Sequence, residues 1–279
     1  MRINQNIYSL NIFKNYTKSV ASNSTALERI ASGKKINSAK DNPIKIERSE
    51  NINIKLRSLQ KASQNTQDGI SALQVVDTAM GEIEDVLIRM RELSVQASSD
   101  NYSDEDRVSI KAEIEELKKF IDDTAESTEV NGNKLIGNKN VTDNSNPEIK
   151  KSQIGAEVGE TIDIPYYNLS CDVLGIDNVD VINNPSQSIT MLEKAISDVA
   201  GYRSKYGAIQ NRMEESLDMI ESNRATYEKN YSEIVDADVA LEMLEVTRTS
   251  ILMESSLALM AQSNNFPRDV VNMLSGLIK

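Results

Sequence analysis

ITMLEKAISDVAGYRSKYGAIQNRMEESLDMIESNRATYEKNYSEI, residues 189–234, decides the fold. In it Leu192, Ile196, Val199, Arg203, Tyr206, Gln210, Met213, Leu217, Ile220, Arg224, Tyr227, Tyr231 and Ile234 alternate three- and four-residue steps without a slip. That is the seam of a long coiled-coil helix. A partner of matching length lies upstream: Ile52, Leu56, Leu59, Thr66, Ile70, Leu73, Val76, Met80, Ile83, Leu87, Met90, Leu93 and Ala97. Each segment runs for roughly 46 residues, or about 70 Å, so the two can lie side by side. Gly69 and Gly81 fall inside the upstream stripe, each weakening a helix by about 1 kcal/mol, yet the period runs through both.

Outward from these rods, SSDNYSDED (98–106) is a polar break in which Ser103 is a plausible N-cap with Asp106 three residues on. Ile110, Ile114, Leu117 and Ile121 then form a shorter stripe, expected to fold back antiparallel on the first. Between Asn131 and Ser188 the helical period is lost, and TIDIPYY (161–167) alternates as a short strand does, which predicts β-hairpins and loops. Both chain ends regain the period. Ile3, Ile7, Leu10, Phe13 and Val20 form one stripe that stops near Ser32-Gly33. Val239, Leu244, Ile251, Leu252, Leu257, Leu259, Met260, Val270, Val271, Leu274, Leu277 and Ile278 form the other, broken only by Pro267.

The expected fold is mainly α: long antiparallel coiled-coil rods, a small β-hairpin region, and N- and C-terminal helices paired. Three parts follow from the pattern: 1–40 with 236–279, 41–136 with 189–235, and a β-hairpin and loop part at 137–188. Apolar faces at both ends predict that the termini meet and that other surfaces cover what remains open.

Composition excludes several functions. Aromatics at 4%, with no Trp, suit an elongated helical chain better than a compact globule of 279 residues. A net charge of −12 and a pI near 4.7 would repel nucleic acid and anionic membranes. The absence of His and the single Cys171 remove imidazole bases, the usual zinc sites and an intramolecular disulfide, so no cofactor or metal is expected. MRINQNIYSL lacks a signal peptide's basic and apolar regions, and no run of about 18 apolar residues could span a bilayer. Glu82-Ile83-Glu84-Asp85 and Glu113-Ile114-Glu115-Glu116 are read as solvated helix faces rather than acid and base pairs. The N-x-S/T triplets at Asn140 and Asn168 are chance in an Asn-rich chain.

MRINQNIYSL, LERIASGKKINSAKDN (27–42) and QDGISALQ (67–74) resemble three N-terminal motifs of bacterial flagellin, in the same order and spacing. IRMRELSVQA (88–97), VNGNKLIG (130–137), QIGAEVGETIDI (153–164), GAIQNRMEE (207–215), DADVALEM (236–243) and ALMAQSNNFPRDVVNMLSG (258–276) extend the resemblance over nearly the whole chain. There are departures. Asp41-Asn42-Pro43 is similar to the hook-filament junction protein, Glu233 and Val235 stand where the family usually has Arg, and Cys171 is unusual for it.

The resemblance implies a short flagellin without large outer domains: a non-enzymatic, exported subunit of the flagellar filament. An H-E-x-x-H protease insertion, found in one flagellin variant, is impossible without His. It implies self-association into a helical homopolymer, with Ile3, Ile7, Leu10, Leu257, Met260, Val270, Val271 and Leu274 as polymerisation candidates. Further implied partners are the export chaperone and apparatus, the filament cap and the hook-filament junction proteins. In stimulatory flagellins an equivalent Arg, Leu and Glu engage Toll-like receptor 5, which transfers to Arg89, Leu93 and Glu113 and places all three on one convex surface; the alternative reading is that Leu93 is core and the charges are surface pairs. The alternatives are a hook-filament junction protein, suggested by Asp41-Asn42-Pro43, and a cytosolic coiled-coil adaptor, which charge and heptads alone would permit.

Overall fold

The computed structural model describes residues 6–99, 101–137 and 141–276, with side chains through residue 273. The elements run α1 (Ile7–Ser32), α2 (Pro43–Ala97), α3 (Asp104–Ser127), β1 (Glu129–Val130), β2 (Asn133–Lys134), β3 (Glu148–Gln153), β4 (Thr161–Tyr166), α4 (Pro185–Val235) and α5 (Val239–Gly276). They form two compact units, residues 1–54 with 226–279, and 55–225, whose boundaries fall inside α2 and α4.

In the unit of residues 55–225 the anticipated stripe of α2 is the core. Leu59, Thr66, Ile70, Leu73, Val76, Met80, Ile83, Leu87, Met90, Leu93 and Ala97 are all buried. From α4 every seventh residue, Leu192, Val199, Tyr206, Met213 and Ile220, is buried. The alternate seam positions Ile196, Arg203, Gln210 and Leu217 are only half-buried. The rods are antiparallel, because Arg91 pairs with Glu193 at 2.6 Å while Arg203, further along α4, reaches back to Asp77 and Glu84 at 2.9 and 2.6 Å. The helix α3 starts at a capping box, with Ser103 and Asp106 exchanging bonds, and adds Ile110, Ile114 and Ile121 to the core.

The β and loop region supplies more of this core than its polarity suggests. Leu135, Ile136, Ile162, Ile164, Tyr167, Leu169, Cys171, Leu174, Ile176, Val179 and Val181 are buried in the same cluster. The strands β3 and β4 pair antiparallel from Glu148 with Tyr166 to Gln153 with Thr161. The hairpin of β1 and β2 turns at Asn131 and Gly132, both at positive φ, where Gly and Asn carry little strain. Tyr167 stacks on Tyr202 of α4 and meets Tyr206 edge-on, and the Tyr206 hydroxyl donates to the Pro165 carbonyl at 2.6 Å.

The helices differ from the sequence expectation at the start of α2, at the start of α4, which begins at Pro185 rather than Ile189, and at Pro267. α2 begins at Pro43, well before Ile52, because Asn42 caps it by accepting from Lys45 N at 3.1 Å and proline suits a first helical turn. Asp41 closes the preceding turn by accepting from the N–H groups of Asn37 and Ser38, which lowers its pKa. The Asp41-Asn42-Pro43 departure thus has a local structural role. Pro267, expected to break the period, instead sits inside a continuous α5.

Candidate assembly and receptor surfaces

In the unit of residues 1–54 with 226–279, α1 and α5 lie antiparallel. The turn ends are tied by Lys35 N donating to Val235 O at 2.6 Å and Ala237 N to Gly33 O at 2.9 Å. Val235 is therefore a buried backbone anchor rather than a site for an arginine's ion pair. Gly33, at φ 68, makes the left-handed stop that ends α1.

Pairing of the two helices leaves most of their apolar stripes uncovered. Ile7, Leu10, Phe13, Val20 and Leu27 are 40–65% exposed, and Leu252, Leu257, Leu259 and Val271 are 42–53% exposed. The less exposed side chains mix small or polar residues, Asn6, Ser9, Ser19, Ser22, Asn23 and Ala26 on α1 and its cap and Thr249, Ser250, Ser256 and Ser263 on α5, with larger ones, Ile12, Tyr16, Ile30, Val246, Met253, Met260 and Val270. Asn23 Nδ2 donates to Val246 O at 3.2 Å and Thr249 Oγ1 at 2.8 Å. Asn6 Nδ2 donates to Ser263 O at 2.9 Å, and Arg29 pairs with Glu242 at 3.2 Å. These contacts were not foreseen from the apolar period. A second period of Asn and Ser at three- and four-residue steps, Asn6, Ser9, then Ser19, Ser22, Asn23, was the signal available for them.

Of the polymerisation candidates, Ile7, Leu10, Leu257 and Val271 thus point away from the partner helix, while Met260 and Val270 are half-buried. Ile3 and the Leu274 side chain lie outside the described residues.

Arg89 and Glu113 are brought together by the antiparallel α2 and α3, with Arg89 Nη2 donating to Glu113 Oε1 at 3.0 Å. The bond raises the Arg89 pKa, and both side chains are about half exposed. Leu93 does not join them. Although four residues from Arg89, it is 2% exposed within the core cluster, because Leu93 sits on the Met90 and Ala97 face of α2 that α3 and α4 cover. The expectation of one surface presenting all three residues is corrected to a surface carrying the Arg89–Glu113 pair, ringed by exposed Glu92, Ile88 and Val95.

The acidic runs lie on solvated faces and are partly paired: Glu84 with Arg203, Glu115 with Lys118 and Glu116 with Lys119. Among the described residues no three His, Cys, Asp or Glu side chains are placed to hold a metal. Nor is any described helix long and apolar enough to cross a membrane. Cys171 is buried, its Sγ donating to Lys118 O at 3.3 Å, and burial pushes its pKa up. The buried Lys118 ammonium in turn donates to Asp177 O at 2.8 Å, fastening the loop to α3.

A chain whose two paired ends leave apolar faces on the outside belongs to the class of subunits completed by other chains. The family model for the bacterial flagellin N-terminal helical region matches residues 3–141, and that for the C-terminal helical region matches 189–274. Flagellin from Halalkalibacterium halodurans is 32% identical over 278 residues, covering 98% of this chain and 100% of its own. The crystal structure of Bacillus cereus flagellin superposes with a TM-score of 0.50 at 28% identity, covering 56% of this chain and 88% of that one. A protein from Vibrio parahaemolyticus assigned as flagellar hook-associated gives a TM-score of 0.60 over 70% of this chain and all of that one, but at 15% identity it shares the fold alone. The chain belongs to the bacterial flagellin family. It is a structural subunit of the flagellar filament.

Proposed function

We propose that this subunit joins the filament by burying the outward faces of α1 and α5 against neighbouring copies. The observation that carries this reading is the orientation of the stripes, with Leu10, Phe13, Leu257 and Leu259 each about half exposed although the helices are already paired. Burial at about 25 cal/mol per Å² rewards any contact that covers them. The subunit passes the export apparatus largely unfolded, is escorted by an export chaperone, and adds beneath a cap on a filament whose base rests on junction proteins. It works outside the cell. Removal of Val270 to Lys279 tests the terminal-helix mechanism: a chain that stays soluble but fails to form filaments supports it, and normal filaments refute it.

A second role is carried by the Arg89–Glu113 pair. Half-exposed on the free chain, it is accessible to a receptor of the Toll-like receptor 5 type, and neighbouring subunits would cover it in the filament. Released monomer should then stimulate reporter cells more strongly than intact filament. Equal potency of the two forms would remove the argument.

A further inference from the structure

We infer that Asn6 and Pro267 together key the outer turns of α1 and α5 in the axial register that the turn end of the pair sets. Pro267 has no N–H, so within α5 the carbonyl four residues earlier, that of Ser263, loses its helical donor. Asn6 Nδ2 donates to that carbonyl at 2.9 Å and to Ser263 Oγ at 3.0 Å. The same side chain caps α1, since Asn6 Oδ1 accepts from Ser9 N at 3.2 Å. Only a side chain with an acceptor and a donor on one short stem does both, which excludes Asp, and a Ser hydroxyl is too short to span cap and partner helix.

The keyed position is single among the described residues. A slide of one heptad would bring Asn6 against Ser256 or Val270, whose carbonyls already accept from the N–H groups four residues on; such a carbonyl can take a second donor, as Val246 O does from Asn23, but only Ser263 O is left without a helical donor to be replaced. The same slide separates Arg29 from Glu242. The inner seam supplies only part of this discrimination through packing, because beside half-buried Ile12, Tyr16, Met253 and Met260 its small residues Ser9, Ser19, Ser22, Ser250 and Ser256 fit one another in several alignments. At the far end of the pair the backbone bridge of Lys34 with Asp236 fixes the alignment, and Asn23 adds a rung between. Asn6 therefore governs the outer turns of α1 and α5. Its consequence for assembly rests on the proposed burial of the outward faces: the Leu10 and Leu257 stripes join into one surface only in this register.

The test traps the register by disulfide formation in the full-length chain, free and during growth from filament seeds. Ser9→Cys with Met260→Cys reports the native alignment and Ser9→Cys with Met253→Cys one displaced by a heptad, while the buried Cys171 stays out of reach. The native pair should oxidise at least about tenfold faster than the displaced pair. Asn6→Asp keeps the helix cap but cannot donate, and should narrow the ratio of the two rates and slow elongation several-fold at unchanged helix content. Pro267→Ala gives Ser263 O a competing N–H and should narrow the ratio while raising helicity. A native preference undiminished in Asn6→Asp overturns the inference. A narrowed preference with undisturbed elongation upholds the register role and instead refutes assembly through the terminal faces.

Discussion

Replacing Leu93 by Ala should damage folding, whereas replacing Arg89 should not, and the contrast separates a core residue from a surface pair. Leu93 is 2% exposed in a cluster built from α2, α3, α4 and the loops after β4. Removing three buried carbons from such a site costs about 2 to 5 kcal/mol, the transfer loss plus the cavity left behind. At about 3 kcal/mol and about 2 to 4 °C per kcal/mol for a domain of this size, the melting temperature should fall by roughly 6 to 12 °C. Arg89→Ala removes a half-exposed ion pair that solvent screens, so melting should move by at most a few degrees. The assay is thermal unfolding of monomer followed by circular dichroism, run beside a receptor-reporter dose response. Lost potency in Leu93→Ala should track lost fold and recover at lower temperature, while lost potency in Arg89→Ala should appear at full fold. A Leu93→Ala monomer that melts like the parent would refute its placement in the core.

The two glycines inside α2 should respond oppositely. At Gly81 a new Cβ meets only the Arg203 guanidinium at ordinary contact distance, so Gly81→Ala should stabilise by roughly 0.5 to 1 kcal/mol in urea unfolding. At Gly69 it collides with the Met213 methyl, and Met213 is fully buried, so Gly69→Ala should gain nothing or lose stability. Tyr206 has a pKa raised by burial, so its contribution is full below the unfolded value of about 10 and is lost as pH rises through the higher folded value. Stability measured by denaturant should therefore fall above about pH 10, and Tyr206→Phe should flatten that fall. The Cys171 thiol should resist a disulfide reagent in the folded chain and react promptly once urea unfolds it; fast reaction without denaturant would contradict its burial.

The rods were legible because a coiled-coil seam is written at fixed spacing: nearly every residue of the stripe from Leu59 to Ala97 that periodicity selected is buried. The β region was less so. TIDIPYY marks β4, but burial of Leu169, Ile176 and Val181 depends on loops whose course no local period encodes. At the termini the apolar period gave the helices and misdirected the reading of their contact. A stripe does not say whether it faces its own chain or another, and here Asn6, Asn23 and Arg29 turn the polar side inward. Leu93 misled for a related reason: a spacing of four from Arg89 brings two residues near one another along a helix, yet only the packing of α3 and α4 decides which is covered.

The outward faces carry the central claim, and the triple variant Leu10→Ala, Phe13→Ala, Leu257→Ala tests it most directly. Each residue is about half exposed on the paired helices, so covering what remains of each contributes about 1 kcal/mol, or about 3 kcal/mol together. The critical concentration for growth on filament seeds should then rise by about a hundredfold, with monomer melting and helix content preserved because alanine favours helix. Growth of the triple variant at the parent's critical concentration would contradict assembly through these faces.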